Sequence, residues 1–418
     1  MSEREAFEAR RLRRGRVLVF VGVVLLALNL RTAVAAISPI VDLISAELTL
    51  DPVALGVLGA TPPLAFAASG LIGPMVVRRV GLERALVLAI IVMVAGHLGR
   101  ALAGSTLILV TATIITLLGV GVANVLLPPI VKRYFPTRVG AVTAVYATVM
   151  SVGATIPALI AVPVAEGAGW RVSLGVWFAS AIVVAIPWVI SLLGRHDQTH
   201  DAAARAAEAV ETGALPVSSR LSVLRSPIAW SVAGVFATAS FSAYAAFAWL
   251  PLLVSDLAGV DPAAAGGLLA LFTIAGFPAA LLVPVLASRL RSATPLVVAG
   301  LAFHLVGYLG LLIAPASATW LWVLLAGFGP LLFPLALALI GLRSRTAAGA
   351  VALSGFVQGF GYLVGAAGPF LVGIIHSATG GWVAPLWLLL AAAVFAVPAL
   401  FVLAPGETVE DELERRAG

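Results

Sequence analysis

The chain has 418 residues, of which 61% are hydrophobic and only 11% charged, and its mean hydropathy is +1.11. A soluble domain carries about 45–50% apolar and about 25% charged residues, so composition excludes a soluble globule, and it excludes disorder, which needs polar, charge-rich sequence. The formal charge of +6 has to be set against topology before it can point to nucleic acid.

A bilayer core is about 30 Å thick, so a spanning helix needs about 20 mostly apolar residues. Twelve segments qualify: 17–41, 54–77, 85–103, 106–131, 138–163, 172–194, 227–254, 264–288, 294–314, 318–341, 347–375 and 384–404. The polar, Gly-rich stretch from His376 to Gly381 separates the last two. The expected fold is an all-α polytopic membrane protein with twelve transmembrane helices. Its parts are a tail (1–16), a six-helix half (17–194), a linker (195–226), a second six-helix half (227–404) and a second tail (405–418).

Charge placement orients this array. With both termini in the cytoplasm, 22 of the 25 Lys and Arg residues fall on the inner side. These include Arg10–Arg16 in the tail, Arg78 and Arg79 after span 2, Lys132 and Arg133 after span 4, and Arg343 and Arg345 after span 10. This is the positive-inside pattern, and it accounts for the basic charge without nucleic acid. The Arg-rich start, the apolar run 17–28 and Ala33-Val34-Ala35 imitate a signal peptide. Eleven further spans and the interruption at Arg31 favour a retained first span. The expected location is a bacterial cytoplasmic (inner) membrane. In the linker, His196 and His200 lie four residues apart, and 202–211 has helical character; the linker reads as a solvated connection.

The halves repeat. Pro39 matches Pro251, Gly56 matches Gly267, Arg78 matches Arg289, Pro157 matches Pro369, and Gly169-Trp170 matches Gly381-Trp382, at an offset of 211–212 residues. A repeat of six spans keeps its orientation, so the halves are parallel repeats, a transporter architecture with a central site near mid-membrane.

Arg31 is the sharpest polar signal. It lies about 15 residues beyond Arg16, near mid-membrane at 1.5 Å per residue, where a cation costs at least about 2.5–3.5 kcal/mol on insertion scales. Its planar fork suits a small planar anion or a carboxylate. The alternative is a structural arginine bonded to carbonyls of a neighbouring helix. Asp42 is too far along the helix, about 16 Å, for direct pairing. Asn29 points to the opposite face and is expected to bond a neighbouring helix. Asn124 stands in span 4 as either a solute contact or helix–helix glue.

On span 11, Ser354, Gln358 and Tyr362 recur every fourth residue and share a face. A polar stripe of this kind faces a cavity or another helix. Tyr146 shares a face with Met150, and Tyr244 with Phe241 and Ala248. These rings either close over a solute or pack the core. His97, Arg100 and His304 are candidate structural groups, and Asp42, Arg78 and Arg79 candidate gating groups. All 19 acidic residues fall in loops, tails or helix ends. This disfavours a carboxylate proton relay and export of cations. No phosphate-binding loop, HExxH, GxSxG or metal-spaced His cluster is present. No cofactor, metal or catalytic residue is expected.

Several pieces together resemble the cyanate/2-nitroimidazole (CynX/NimT) branch of the major facilitator superfamily. They are Leu28-Asn29-Leu30-Arg31 with Ser38-Pro39, Arg78-Arg79-Val80-Gly81, Gly121-Val122-Ala123-Asn124 with Pro128, Lys132-Arg133-Tyr134-Phe135-Pro136, Trp249-Leu250-Pro251, Phe333-Pro334-Leu335, and Ser354-Gly355-Phe356-Val357-Gln358 with Gly361-Tyr362. Two departures stand out: Val77-Arg78 replaces the usual Asp of the loop between spans 2 and 3, and Thr238-Ala239-Ser240 replaces a Gln-Ser of span 7. The resemblance implies a transporter in which spans 1, 4, 7 and 10 line a cavity while 3, 6, 9 and 12 form the scaffold. It implies alternating access for a small polar or anionic solute, in a lipid bilayer, by a chain that acts as a monomer. The rival readings are a multidrug/proton antiporter and a non-transporting sensor or scaffold.

Overall fold

The computed structural model describes residues 3–50, 52–196, 223–403 and 406–417. The candidate linker helix at 202–211 and His200 lie outside the described residues, as does the side chain of Asp42. The spans, numbered in chain order, are Glu3–Ala35, Pro52–Val80, Leu82–Ala101, Thr106–Tyr134, Val139–Ala168 and Trp170–His196, then Pro227–Ala258, Pro262–Arg289, Thr294–Ile313, a broken tenth span from Thr319 to Leu342, Ala347–Thr379, and a broken twelfth span from Val383 to Val402. Among the described residues, eleven of these are long and apolar enough to cross a membrane; Pro52–Val80, with 29 residues, is the remaining long helix.

Local chemistry sets the ends. Span 1 reaches only Ala35, short of the expected 41, and a 3₁₀ turn over Ser38–Ile40 follows. Pro39 has no amide donor and disfavours helix at the residue before it. Span 11 is capped at its start by Thr346, whose hydroxyl accepts from the Gly349 amide at 2.9 Å. It ends at Gly380 with φ +66°. Span 10 breaks at Gly329–Leu331 around Pro330, and span 12 tightens to a 3₁₀ turn at Ala392–Ala396 before Pro398.

The chain forms two compact units, residues 1–136 with 145–215, and residues 137–144 with 216–418. In the first, span 1 turns one face inward through Val19, Val23, Leu26, Leu30 and Ala33, while span 4 is buried on every side from Gly119 to Val131. In the second, spans 7 and 10 are buried all round, over 231–242 and most of 331–341. A helix apolar on all faces belongs in a core. The faces of spans 3, 6, 8 and 9 keep large apolar residues outward, such as Ile91, Ile186, Leu282 and Val306. Hydrocarbon tolerates such faces and water would not.

Small residues bring the helices together, and they repeat. A Cβ on Gly96 would lie 2.5 Å from the Thr116 amide nitrogen, and one on Gly307 would lie 2.3 Å from that of Ala326. Gly99 and Gly310 make the matching contacts one turn on, against Ala112 and Trp322. Spans 3–4 and 9–10 thus pack by the same glycines at the 211-residue offset. Gly153 sits against the Leu28 carbonyl, and Gly365 against Ser240, so the span 1–5 and 7–11 contacts repeat as well.

Candidate functional site

In the first unit the site is built around span 1. Arg31 is half-buried on this helix. Two residues earlier, Asn29 donates to the Ser180 hydroxyl on span 6 at 2.9 Å. The Trp188 indole donates to the Gly22 carbonyl at 3.3 Å. Gly153 of span 5 leaves no room for a methyl at Leu28. Beyond Arg31, the fully buried Arg100 of span 3 donates to the Ala33 carbonyl at 2.9 Å and to the Thr113 hydroxyl on span 4 at 3.1 Å. A cation at a helix C-terminus gains about 0.3–1 kcal/mol, and up to about 2 when buried. His97, one turn before Arg100, is fully buried, and neither ring nitrogen has a partner among the described residues. Asn124 and Tyr146 are both buried, at the centre of span 4 and on span 5.

In the second unit Ser354, Gln358 and Tyr362 do share one face of span 11, and all three are closed to solvent. Gln358 donates to Ser354 at 2.8 Å. Tyr362 stands edge-on to Phe236 of span 7, with centroids 4.9 Å apart, and meets Tyr244 at 6.4 Å. The stripe therefore packs along span 7, and Gly361, Gly365 and Gly368 set that contact, each without room for a methyl. On span 9, His304 bonds the Leu389 carbonyl of span 12 through Nε2 at 2.8 Å and stacks edge-on with Tyr308. Tyr308 in turn bonds Ser242 of span 7 at 2.7 Å.

Polar contacts at the helix ends frame these helices. Arg78 and Arg79 are exposed at the end of span 2. At the side away from the Arg-rich ends, Arg171 pairs with Glu47 at 2.5 Å and lies 4.1 Å over the Trp170 ring. The Arg171 hydrogen bond holds the Glu47 carboxyl below its ordinary value of 4.5. The repeat-related Trp382 donates to Asp256 at 2.8 Å.

The segment 409–417, expected as tail, is a helix docked on the second unit. Thr408 and Asp411 open it with a reciprocal pair of backbone–side-chain bonds, at 3.2 and 3.3 Å. Its Glu410 accepts from the amides of Arg345 and Thr346 at the start of span 11, both at 3.0 Å. The buried Glu412 accepts from Ser226 at 2.5 Å and from the Ile228 amide at 3.4 Å at the start of span 7. Arg343 donates to the carbonyls of Leu403, at 2.6 Å, and Glu407, at 3.1 Å. Sequence reading missed these caps. The available signal was an acidic run, Glu410-Asp411-Glu412 and Glu414, in a chain whose Arg343 and Arg345 border span 11.

Long apolar helices in repeating six-span units, with a cation inside span 1, point to a multi-span membrane transporter. The sequence profile of the Major Facilitator Superfamily matches residues 19–366. The chain is 35% identical over 376 residues to the uncharacterized transporter YycB of Bacillus subtilis (strain 168), covering 89% of each. It is 33% identical to the 2-nitroimidazole transporter of Escherichia coli (strain K12), over 89% of this chain and 92% of that one. It is 25% identical to the cyanate transport protein CynX of the same strain, over 86% and 90%. The solved proton:xylose symporter XylE superposes with a TM-score of 0.70 at 18% identity, over 97% of this chain and 99% of that one. This chain belongs to the major facilitator superfamily, in its cyanate/2-nitroimidazole transporter branch.

Proposed function

We propose that the chain moves a small polar or anionic solute, of the size and chemistry of cyanate or a nitroimidazole, by alternating access, with Arg31 as its anchor. The observation that carries this reading is a half-buried cation set within the apolar first span. A cation inside the membrane favours an anion or a strong dipole electrostatically. The names of two relatives point to solutes of that kind. In the second half, Tyr244, Gln358 and Tyr362 supply hydrogen-bonding groups beside span 7. Ser354 orients the Gln358 amide. Asn124 and Tyr146 are further contacts in the first half. The termini lie in the cytoplasm, the chain acts as a monomer in the bacterial inner membrane, and coupling does not run through Asp42.

The test is uptake into proteoliposomes at fixed pH and potential. The solutes are cyanate, nitrate, small carboxylates, 2-nitroimidazole and one bulky organic cation, each with wild type, Arg31→Gln and Asp42→Asn. We expect saturable flux of a small anion or nitroimidazole that Arg31→Gln abolishes and Asp42→Asn leaves with its wild-type pH dependence. Flux confined to the bulky cation, or uptake indifferent to Arg31→Gln, overturns the anchor.

A further inference from the structure

We propose that Arg100 is a positioning residue for Arg31, fixing the stretch of span 1 just beyond it. The inference rests on the reading of Arg31 as the solute's anchor and deepens it.

Span 1 stops at Ala35. In a continued helix the Ala33 carbonyl would accept from the Ile37 amide. Among the described residues that bond is not made, and Arg100 Nη1 donates to this carbonyl instead, at 2.9 Å. The Arg100 side chain is fully buried and forms no ion pair among the described residues. What balances its charge is the negative end of a helix whose last carbonyls have lost their amides. Its fork also reaches Thr113 on span 4 at 3.1 Å. One guanidinium therefore joins spans 1, 3 and 4 through two donors that diverge from a rigid plane. A lysine, with one compact head, cannot hold both acceptors in that geometry.

The contact gains its meaning from where it falls. On one side of Arg31, Leu28 is packed by Gly153 and Asn29 is bonded to Ser180. On the other side, two residues on, Ala33 is held by Arg100. The backbone that carries Arg31 is thus fixed on both sides. Helix side chains lean toward the N-terminus, while carbonyls point toward the C-terminus. The Arg100 contact falls on the backbone two residues beyond Arg31, so the second cation orients the first through span 1.

The experiment uses the full chain in nanodiscs and measures amide hydrogen exchange and solute binding for Arg100→Met, Arg100→Lys and Thr113→Val. We expect Arg100→Met to speed exchange over residues 33–40 at least tenfold while spans 3 and 4 stay within about twofold. Arg100→Lys is expected to restore less than half of that protection. Unchanged exchange over 33–40, or acceleration spread through spans 3 and 4, overturns the proposal. Where Arg100→Met does not give folded protein, Thr113→Val decides: a smaller acceleration in the same stretch supports the role, and none overturns it. Binding uses 2-nitroimidazole and cyanate as probes in a double-mutant cycle with Arg31→Lys. If Arg100 acts through Arg31, it weakens binding about tenfold in the wild type and less than threefold on top of Arg31→Lys. Additive losses overturn it. Wild-type binding by both Arg31→Lys and Arg31→Gln sinks the anchor reading alone, and exchange then still reports whether Arg100 holds span 1.

Discussion

Single residues in this chain act mostly at helix ends, where backbone groups lack partners. Arg171 is the clearest exposed case: it pairs with Glu47 and reaches the Ala103 carbonyl at 3.1 Å. Because Glu47 titrates below its ordinary value of 4.5 in the folded protein, the pair stabilises the fold above that value. Its contribution is lost as pH falls through the lowered folded value. The gap in thermal midpoint between wild type and Glu47→Gln is therefore expected to be small at pH 7, as suits an exposed pair. It is expected to hold down to about pH 5 and to close between there and pH 3. A gap that persists unchanged at pH 3 contradicts this assignment. Asp411 and Glu414 follow the same sign: Asp411 is held down first by its bonds to Thr408, and Glu414 by Arg345.

Between elements, glycine sets the spacing. Gly96 meets the backbone of Thr116 as well as its hydroxyl, and Gly307 meets the backbone of Ala326, so turning a side chain away does not make room for a methyl and two helices must part. Gly96→Ala and Gly307→Ala are expected to cost about 1–3 kcal/mol each, as overpacked cores do. Gly59→Ala, which meets nothing within 4 Å, is expected to be neutral. Thermal unfolding in detergent is the measurement, and a wild-type midpoint for both packed variants would refute the close approach. This spacing also shows what could be read in advance. The spans were legible because hydropathy is a local property of some twenty residues. The glycine repeat was not, because a missing side chain leaves no mark on hydropathy. Nor were the partners of Arg100 and Glu412, since Ala33 lies 67 residues from the one and Ser226 lies 186 from the other. Span 1 ended early because Ser38-Pro39 stops a helix whatever its apolarity, and span 10 broke at Pro330 for a related reason. Of the site, the polar stripe on span 11 was legible from its fourth-residue period. Its packing along span 7 was not, since that depends on glycines of the same helix.

For the whole molecule the charge distribution makes a topological statement. The chain lacks cysteine, so single thiols report without background. A membrane-impermeant maleimide added to intact cells is expected to label Gly104→Cys and to reach Arg84→Cys only after permeabilisation. The opposite pattern would invert the orientation. The docked C-terminal helix adds a consequence in time. Its Glu410 and Glu412 cap the first turns of spans 11 and 7, yet they leave the ribosome after every span. At roughly 5–20 residues per second, span 7 waits roughly 10–40 seconds before the carboxylate that caps its first turn has been made. The second half is thus assembled with only the local caps of Ser226 and Thr346 at these two helix starts, and the carboxylates join them once 409–417 has emerged.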